Sequence, residues 1–280
     1  MKAPPFAYAR AQSIAHALQL LAEHGAEAKL LAGGQSLMPT LNMRLASPKV
    51  LIDITRLGEL AGVRVDGNGV RIGALTTHAA IAASGDIRKH LPMLTDAVQH
   101  IAHPAIRNSG TFGGSLCMAD PAAEWPACCV ALDARFTLRS ASDTRDVAAK
   151  DFFTGPYSTV LALNELLTEV VIPIPAAGTR HVFLELARRQ GDYAIVGLLA
   201  LARGRDALKL TFLGAGATPI IADKTSQVYV SKGFSDAVSN EAKATLKQDL
   251  DPMADLYHTA ETKLHLAHVL TTRAVKQLMS

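Results

Sequence analysis

Two glycine pairs lie far apart in the chain within the same local pattern, Ala32-Gly33-Gly34-Gln35-Ser36 and Thr111-Phe112-Gly113-Gly114-Ser115. Each follows an apolar strand-like or helical run, and each precedes a segment that reads as a helix. Adjacent glycines let the main chain take φ > 0 and approach a ligand closely, while a helix start offers N–H groups that the helix cannot pair. Neither pentapeptide contains a lysine or arginine. Together they predict a diphosphate held by backbone amides, and therefore a long cofactor.

Length and composition narrow the field. A chain of 280 residues is long for one core, which makes two domains, or one with an appendage, the prior. With 49% hydrophobic and 19% charged residues, it has enough apolar material for a sizeable core. The net charge is only +3 and its lysines and arginines are scattered, a poor match to nucleic-acid binding. The most continuous apolar stretch, Tyr193 to Ala202, falls well short of the roughly 20 residues that cross a bilayer. Met1-Lys2-Ala3-Pro4-Pro5 lacks a secretory apolar region, so the expected location is the cytoplasm, with no membrane span.

Cys117, Cys128 and Cys129 read as reduced thiols, the last two as small core residues, because no C-x-x-C or C-x-x-H spacing is present. The ten histidines form no H-E-x-x-H or facial-triad pattern, so no metal ligand is assigned to the chain. There is no G-x-S-x-G elbow and no convincing Cys–His pair, and no catalytic residue is assigned. Leu213-Gly214-Ala215-Gly216-Ala217-Thr218-Pro219 superficially matches a dinucleotide fingerprint but has proline in place of the third glycine, and reads as a strand-ending turn.

The pattern along the chain predicts a helix from Ser13 to Glu23 with Ser13 as N-cap and Gly25 as stop, then a strand Lys29–Ala32, a helix Leu37–Leu45 and a buried strand Val50–Ile54. Asp66-Gly67-Asn68-Gly69 between two alternating runs signals a hairpin. Helices follow around Thr77–Ala83, Pro92–Ala102 and Pro121–Leu132, with strands at Arg135–Leu138 and Leu167–Pro173. Pro173, Pro175 and Gly178 mark a linker. Beyond it, His181–Ala187, Ala194–Ala202 and Ala207–Leu213 predict a three-stranded antiparallel sheet, with helices at Phe234–Leu250 and Thr259–Met279 on one face.

Four motifs carry a resemblance over essentially the whole chain: Ala-Gly-Gly-Gln-Ser-Leu-Met-Pro at 32–39, Ile-Arg-Asn-Ser-Gly-Thr-Phe-Gly-Gly-Ser at 106–115, Ala-Asp-Pro-Ala-Ala-Glu-Trp-Pro at 119–126 and Glu-Leu-Ala-Arg-Arg-Gln-Gly-Asp-Tyr-Ala at 185–194. In this order they resemble the FAD-binding (medium) subunit of the molybdenum hydroxylases, the family of carbon monoxide dehydrogenase, xanthine dehydrogenase and N-heteroaromatic hydroxylases. The resemblance implies an α+β fold: a two-part FAD-binding domain of the vanillyl-alcohol-oxidase type at 1–176, with subdomains about 1–56 and 57–176, then a small domain at 177–280.

It further implies that Ala32, Gly33, Gly34, Gln35 and Ser36, with Thr111, Phe112, Gly113, Gly114 and Ser115, wrap the FAD pyrophosphate and ribityl chain. Ile101 is implied as a cofactor contact and Tyr193 as the cover of one flavin face. Asp120 and Glu124 admit two compatible readings. By resemblance they are cofactor contacts, Glu124 ranking first. By position they are a helix start, with Asp120 as N-cap, Pro121 first in the helix and Glu124 in the first turn.

The implied activity is electron transfer. Electrons would come from [2Fe-2S] clusters on a small partner subunit, substrate being hydroxylated at a molybdenum cofactor on a large one, in a dimer of heterotrimers. The acceptor stays open, and the version of the fourth motif leans toward N-heteroaromatic substrates. A stand-alone flavin oxidase or reductase of the same fold and a non-catalytic binding module remain alternatives.

Overall fold

The computed structural model describes residues 2–279; Met1 and Ser280, at the ends of the expected domains, lie outside the described residues. Ser13 caps the helix Ile14–His24 by accepting from the His16 N–H at 3.1 Å, and Gly25, at φ 52, ends it. The helix buries Ala17, Leu18 and Leu21 against a three-stranded parallel sheet with spatial order Ala7–Arg10, Val50–Asp53, Ala28–Leu31. The central strand is buried at every position, Val50 to Ile52 as their apolar run requires and Asp53 with its Oδ1 accepting from the Thr55 N–H at 2.8 Å. Ala7–Arg10 is a largely exposed edge strand without an apolar pattern, which is why the sequence does not reveal it.

The next part is a five-stranded antiparallel sheet in the order Val63–Asp66, Gly69–Gly73, Leu166–Ile172, Arg135–Arg139, Thr144–Ala148. The expected hairpin forms, its turn tied by Asp66 Oδ1 accepting from the Asn68 N–H at 2.8 Å. Short helices between these strands share one apolar core with them. The helix expected over Pro92–Ala102 stops at Ala97 and dissolves into turns that end with Ala102 at φ 43. The following His103-Pro104 disfavours helix immediately before it. The helix expected from Pro121 starts at Glu124, with Ala123 in the cap position and Pro126 where a missing N–H does no harm. Asp120 is therefore not an N-cap; its Oδ1 accepts from the Ala122 N–H at 2.9 Å in a turn ahead of the helix.

The C-terminal sheet runs Thr179–Ala187, Ala194–Arg203, Ala207–Leu213, with a fourth, two-residue strand Ile220–Ile221 beyond the three expected. Its two faces have different partners. Val182, Leu198 and Phe212 pack into a core with the helices Asp223–Lys232, Asp236–Asp249 and Ala260–Met279. Their neighbours Phe183, Leu199 and Leu213 point the other way and join the core of the N-terminal part. A sheet covered on both faces needs apolar residues at both parities, the reason Ala194 to Ala202 reads as one continuous apolar run.

Below the junction, Trp125 and His78 are both buried, and the indole N–H donates to His78 Nδ1 at 2.9 Å. Burial, helped by the charge of Arg107, lowers the imidazole to about 4, so His78 is a neutral acceptor. Trp125→Phe leaves that nitrogen without its donor in a dry site. The expected result is a loss of about 1–3 kcal/mol in denaturant unfolding at neutral pH; a midpoint equal to that of the parent protein would show that the pair contributes nothing.

Candidate functional site

The first glycine loop leaves the carboxyl edge of the parallel sheet. Ile54 N–H still donates to Leu31 O at 3.0 Å, after which the two chains part and Ala32 enters the loop. Gly34 sits at φ 71, where a side chain would be strained. Among the described residues the N–H groups of Gly33, Gly34, Gln35 and Ser36 find no acceptor. Gln35 instead turns its side-chain amide back onto Gly33 O at 2.9 Å, and Ser36, in the cap position of the helix Leu37–Asn42, makes no side-chain cap. A cavity of about 490 Å³ opens here, lined by Leu31 to Gln35 together with Met38, Asn42 and Thr55.

Gly33 is needed for a different reason from Gly34. A Cβ on it would lie 2.2 Å from Ser109 O and 2.8 Å from Gly110 Cα. The first loop thus rests directly on the backbone that leads into the second glycine segment.

The second segment is not a turn. Thr111 is the N-cap of the helix Phe112–Met118, and Gly113 and Gly114 lie in its first turn. Its starting amides are already paired: Phe112 N–H with Thr76 O at 2.9 Å, Gly113 N–H with Ala74 O at 2.8 Å, and Gly114 N–H with Thr111 Oγ1 at 3.1 Å. The expected free amides are absent there because the segment lies antiparallel against residues 74–78. A Cβ on Gly113 would meet Ala74 Cβ at 2.6 Å. Gly114 is exposed and Ser115 half-buried, and these two are the surface that the segment offers to a ligand.

The remaining candidates lie along the seam between the N-terminal part and the C-terminal sheet. Ile101 is buried, and its carbonyl and that of Ala102 each accept from Arg107 Nη1 at 2.8 Å. The 188–193 connection of the C-terminal sheet settles on the same point, since a Cβ on Gly191 would lie 2.8 Å from Ala102 O. Tyr193 ends that connection, 75% exposed. Desolvation of its hydroxyl, then the charges of Asp120, Glu124 and Asp192, raise the phenol above its ordinary range. Tyr157, at φ 55, donates its N–H to Ala119 O at 2.9 Å and places its hydroxyl 3.5 Å from Asp120 Oδ2.

Glu124 is buried, and its carboxyl is lifted to about 7, first by burial and then by the charge of Asp120. Across the seam stands Glu185, which pattern reasoning passes over as one member of a motif. Its side chain is 2% exposed, Oε1 lies 3.7 Å from His100 Nδ1, and Oε2 has no hydrogen-bond partner. Burial, then the charge of Glu124, lifts it to about 8. His100 is itself lowered by burial and stacks obliquely on Phe183, so it is no strong counter-ion. The cross-strand neighbour of Glu185 is Gly197, where a Cβ would press on the Leu213 side chain at 2.8 Å. Tyr157 joins the site only through the fold, whereas Arg107 belongs to the 106–115 motif.

Chemically, the arrangement offers unpaired amides, hydroxyls, aromatic surface and carboxyls, without a nucleophile poised on a base. Among the described residues no group of three or more His, Cys, Asp or Glu side chains could hold a metal ion, and no helix is long and apolar enough to cross a membrane. Cys117, Cys128 and Cys129 are free thiols, the last two buried.

Comparison with known proteins matches residues 4–175 to the family model of the FAD binding domain in molybdopterin dehydrogenase and residues 181–278 to that of the CO dehydrogenase flavoprotein C-terminal domain. The chain is 37% identical to the 6-hydroxypseudooxynicotine dehydrogenase complex subunit alpha of Paenarthrobacter nicotinovorans, over 100% of this chain and 96% of that one. A solved structure of reconstituted CO dehydrogenase from Oligotropha carboxidovorans superposes with TM-score 0.94 at 33% identity, covering 100% of both chains. Quinoline 2-oxidoreductase from Pseudomonas putida 86 gives TM-score 0.92 at 33% identity, over 99% of this chain and 98% of the other.

The buried seam carboxyl has a measurable cost. Between the ordinary carboxylate value of 4.5 and about 8, the unfolded chain ionises at Glu185 while the folded protein keeps it neutral. Stability at this site therefore falls as pH rises through that window, and the loss is complete above it. Glu185→Gln removes the penalty. Its thermal midpoint is expected to match that of the parent protein near pH 4.5 and to exceed it progressively up to pH 8, by the equivalent of about 1–3 kcal/mol. A difference independent of pH would contradict this assignment.

Proposed function

Since the chain belongs to the family of FAD-binding subunits of molybdenum hydroxylases, we propose that it carries one non-covalent FAD as the electron-transfer flavoprotein of such an enzyme. The observation that carries the reading is the run of unpaired amides from Gly33 to Ser36, held beside the second glycine segment by the close approach of Gly33 to Ser109. These groups fit a pyrophosphate without any cationic side chain. Ala32 to Ser36 supply the amides. Thr111, Phe112 and Gly113 buttress them, while Gly114 and Ser115 supply surface. Asp120 and Glu124 receive sugar and ribityl hydroxyls, and Ile101 and Tyr193 bracket the ring system. The division into 1–176, itself split near residue 56, and 177–280 then places a nucleotide between two units and closes it with a third.

Bound flavin supplies exchange between one-electron and two-electron carriers. Oriented amides hold its diphosphate, the Gly191–Tyr193 connection limits access of water to the ring, and Arg107 fixes the Ile101–Ala102 carbonyls under that connection. Its electron source is a small subunit with two [2Fe-2S] clusters, and the oxidation site is a molybdenum cofactor on a large subunit, in a dimer of heterotrimers located in the cytoplasm. N-heteroaromatic compounds are the favoured substrates, in keeping with the names of relatives such as quinoline 2-oxidoreductase and nicotine 6-hydroxylase medium subunit.

Acid precipitation of the purified complex is expected to release FAD into the supernatant, whereas flavin on the pellet, or FMN, would contradict the reading. Gly33→Ala presses a methyl group onto Ser109 O and is expected to weaken FAD retention by roughly tenfold or more, the weight of about one charge-assisted hydrogen bond. Substrate is expected to bleach the flavin in the complex but not in the isolated chain. Rapid bleaching of the isolated chain would favour a stand-alone flavoenzyme.

A further inference from the structure

The 188–193 connection, which carries Tyr193, has few restraints of its own. Among the described residues its hydrogen bonds close a turn and reach nothing outside it: Asp192 N–H donates to Arg189 O at 3.1 Å, and Tyr193 N–H to Asp192 Oδ1 at 3.0 Å. Gly191 rests on Ala102 and His103 without a hydrogen bond. At the start of the connection, the Arg188 guanidinium lies over the Tyr257 ring, 4.5 Å from its centroid. Tyr257 is 69% exposed, so the ring is not placed by burial in a core. Asp255 places it. Its Oδ1 accepts from the N–H groups of Tyr257 at 2.8 Å and His258 at 2.9 Å, and its Oδ2 accepts from Lys263 Nζ at 2.8 Å. Lys263 stands on the helix Ala260–Met279 and is itself buried. That ammonium, ahead of the two N–H groups, holds the Asp255 carboxyl well below the ordinary carboxylate range, so the anchor is charged at neutral pH. A buried lysine, a carboxylate and two backbone amides thus fix a short surface loop that presents an aromatic face, and an arginine of the 188–193 connection lies on that face. A guanidinium suits this contact because it is flat and keeps its charge at any working pH.

We propose that Arg188 and Tyr257 form a latch that holds the 188–193 connection in place and so sets how often Tyr193 leaves the flavin. With the latch, the connection is held at both ends of its turn, by Tyr257 at Arg188 and by the backbone of Ala102 at Gly191. Without it, only the seating of Gly191 remains, and the turn that carries Tyr193 opens more often. Tyr257 is thus a positioning residue. It lies outside the four motifs and acts on the cofactor through Arg188 and Tyr193, while Asp255 and Lys263 act one step further back by fixing its loop. The inference rests on the flavin reading above, and adds to it that the connection between the last two helices controls access to the ring.

The full chain, first freed of flavin, provides the test. Trypsin cuts the Arg189–Gln190 bond only when the connection opens, so at low protease the cutting rate counts that opening. Tyr257→Ala and Arg188→Met are each expected to raise the rate about two- to fivefold, the weight of an exposed cation–π contact. The double variant is expected to cut no faster than either single one, because both remove the same contact. Tyr257→Phe keeps the ring and is expected to cut at the parent's rate. Reloaded with FAD, Tyr257→Ala is expected to release it faster by the same factor, read as flavin absorbance in the filtrate after dilution, with Tyr257→Phe again matching the parent. Parent-like cutting or FAD release in Tyr257→Ala, additive single variants, or a Tyr257→Phe variant that behaves as Tyr257→Ala would each overturn this inference and leave the flavin reading intact. A parent chain that takes up no FAD would overturn both.

Discussion

Contact of backbone with backbone, at places where no side chain fits, is the constraint on which the rest of the molecule depends. Gly33 against Ser109 joins the parallel-sheet unit to the segment entering the second glycine motif, and Gly113 against Ala74 seats that segment on the five-stranded sheet. Gly191 against Ala102 brings in the C-terminal sheet. Each approach is under 3 Å from where a Cβ would stand, so a single methyl group must push backbone apart. The motifs therefore work as much by joining the parts as by facing a ligand.

The C-terminal sheet contributes through its two-sidedness. One face builds a core with its own helices and the other completes the core of the N-terminal part, so the sheet cannot be withdrawn without exposing both. On the side turned to the seam it carries Glu185, and at its edge the connection ending in Tyr193. A buried carboxyl without a partner weakens folding once the unfolded chain can ionise it.

Much of this was legible before any coordinates. The helix capped by Ser13, the Asp66–Gly69 hairpin and the three long C-terminal strands follow from periodicity and turn chemistry. Cys128 and Cys129 are core residues, as their apolar run implies. Elements governed by context were not legible. Ala7–Arg10 is an edge strand without an apolar stripe, Thr144–Ala148 is polar and exposed along most of its length, and Asp223–Lys232 has few apolar residues. The reading of Asp120 as a helix cap failed because the same side chain can satisfy an earlier turn, and the local sequence does not choose between the two.

By itself the sequence determined the motifs, their order and the family, because glycines, caps and hydrophobic periods act over a few residues and leave a local trace. It also marked the loop at Ala32–Ser36 as one whose amides could remain free. Only the tertiary structure decided that the amides of Phe112, Gly113 and Gly114 are already paired, that Tyr157 reaches Asp120, and that the side chains of Glu124 and Glu185 are buried. Each of these depends on which distant backbone or side chain arrives alongside, and hydrogen-bond supply and desolvation are set by that neighbour rather than by residues adjacent in the chain.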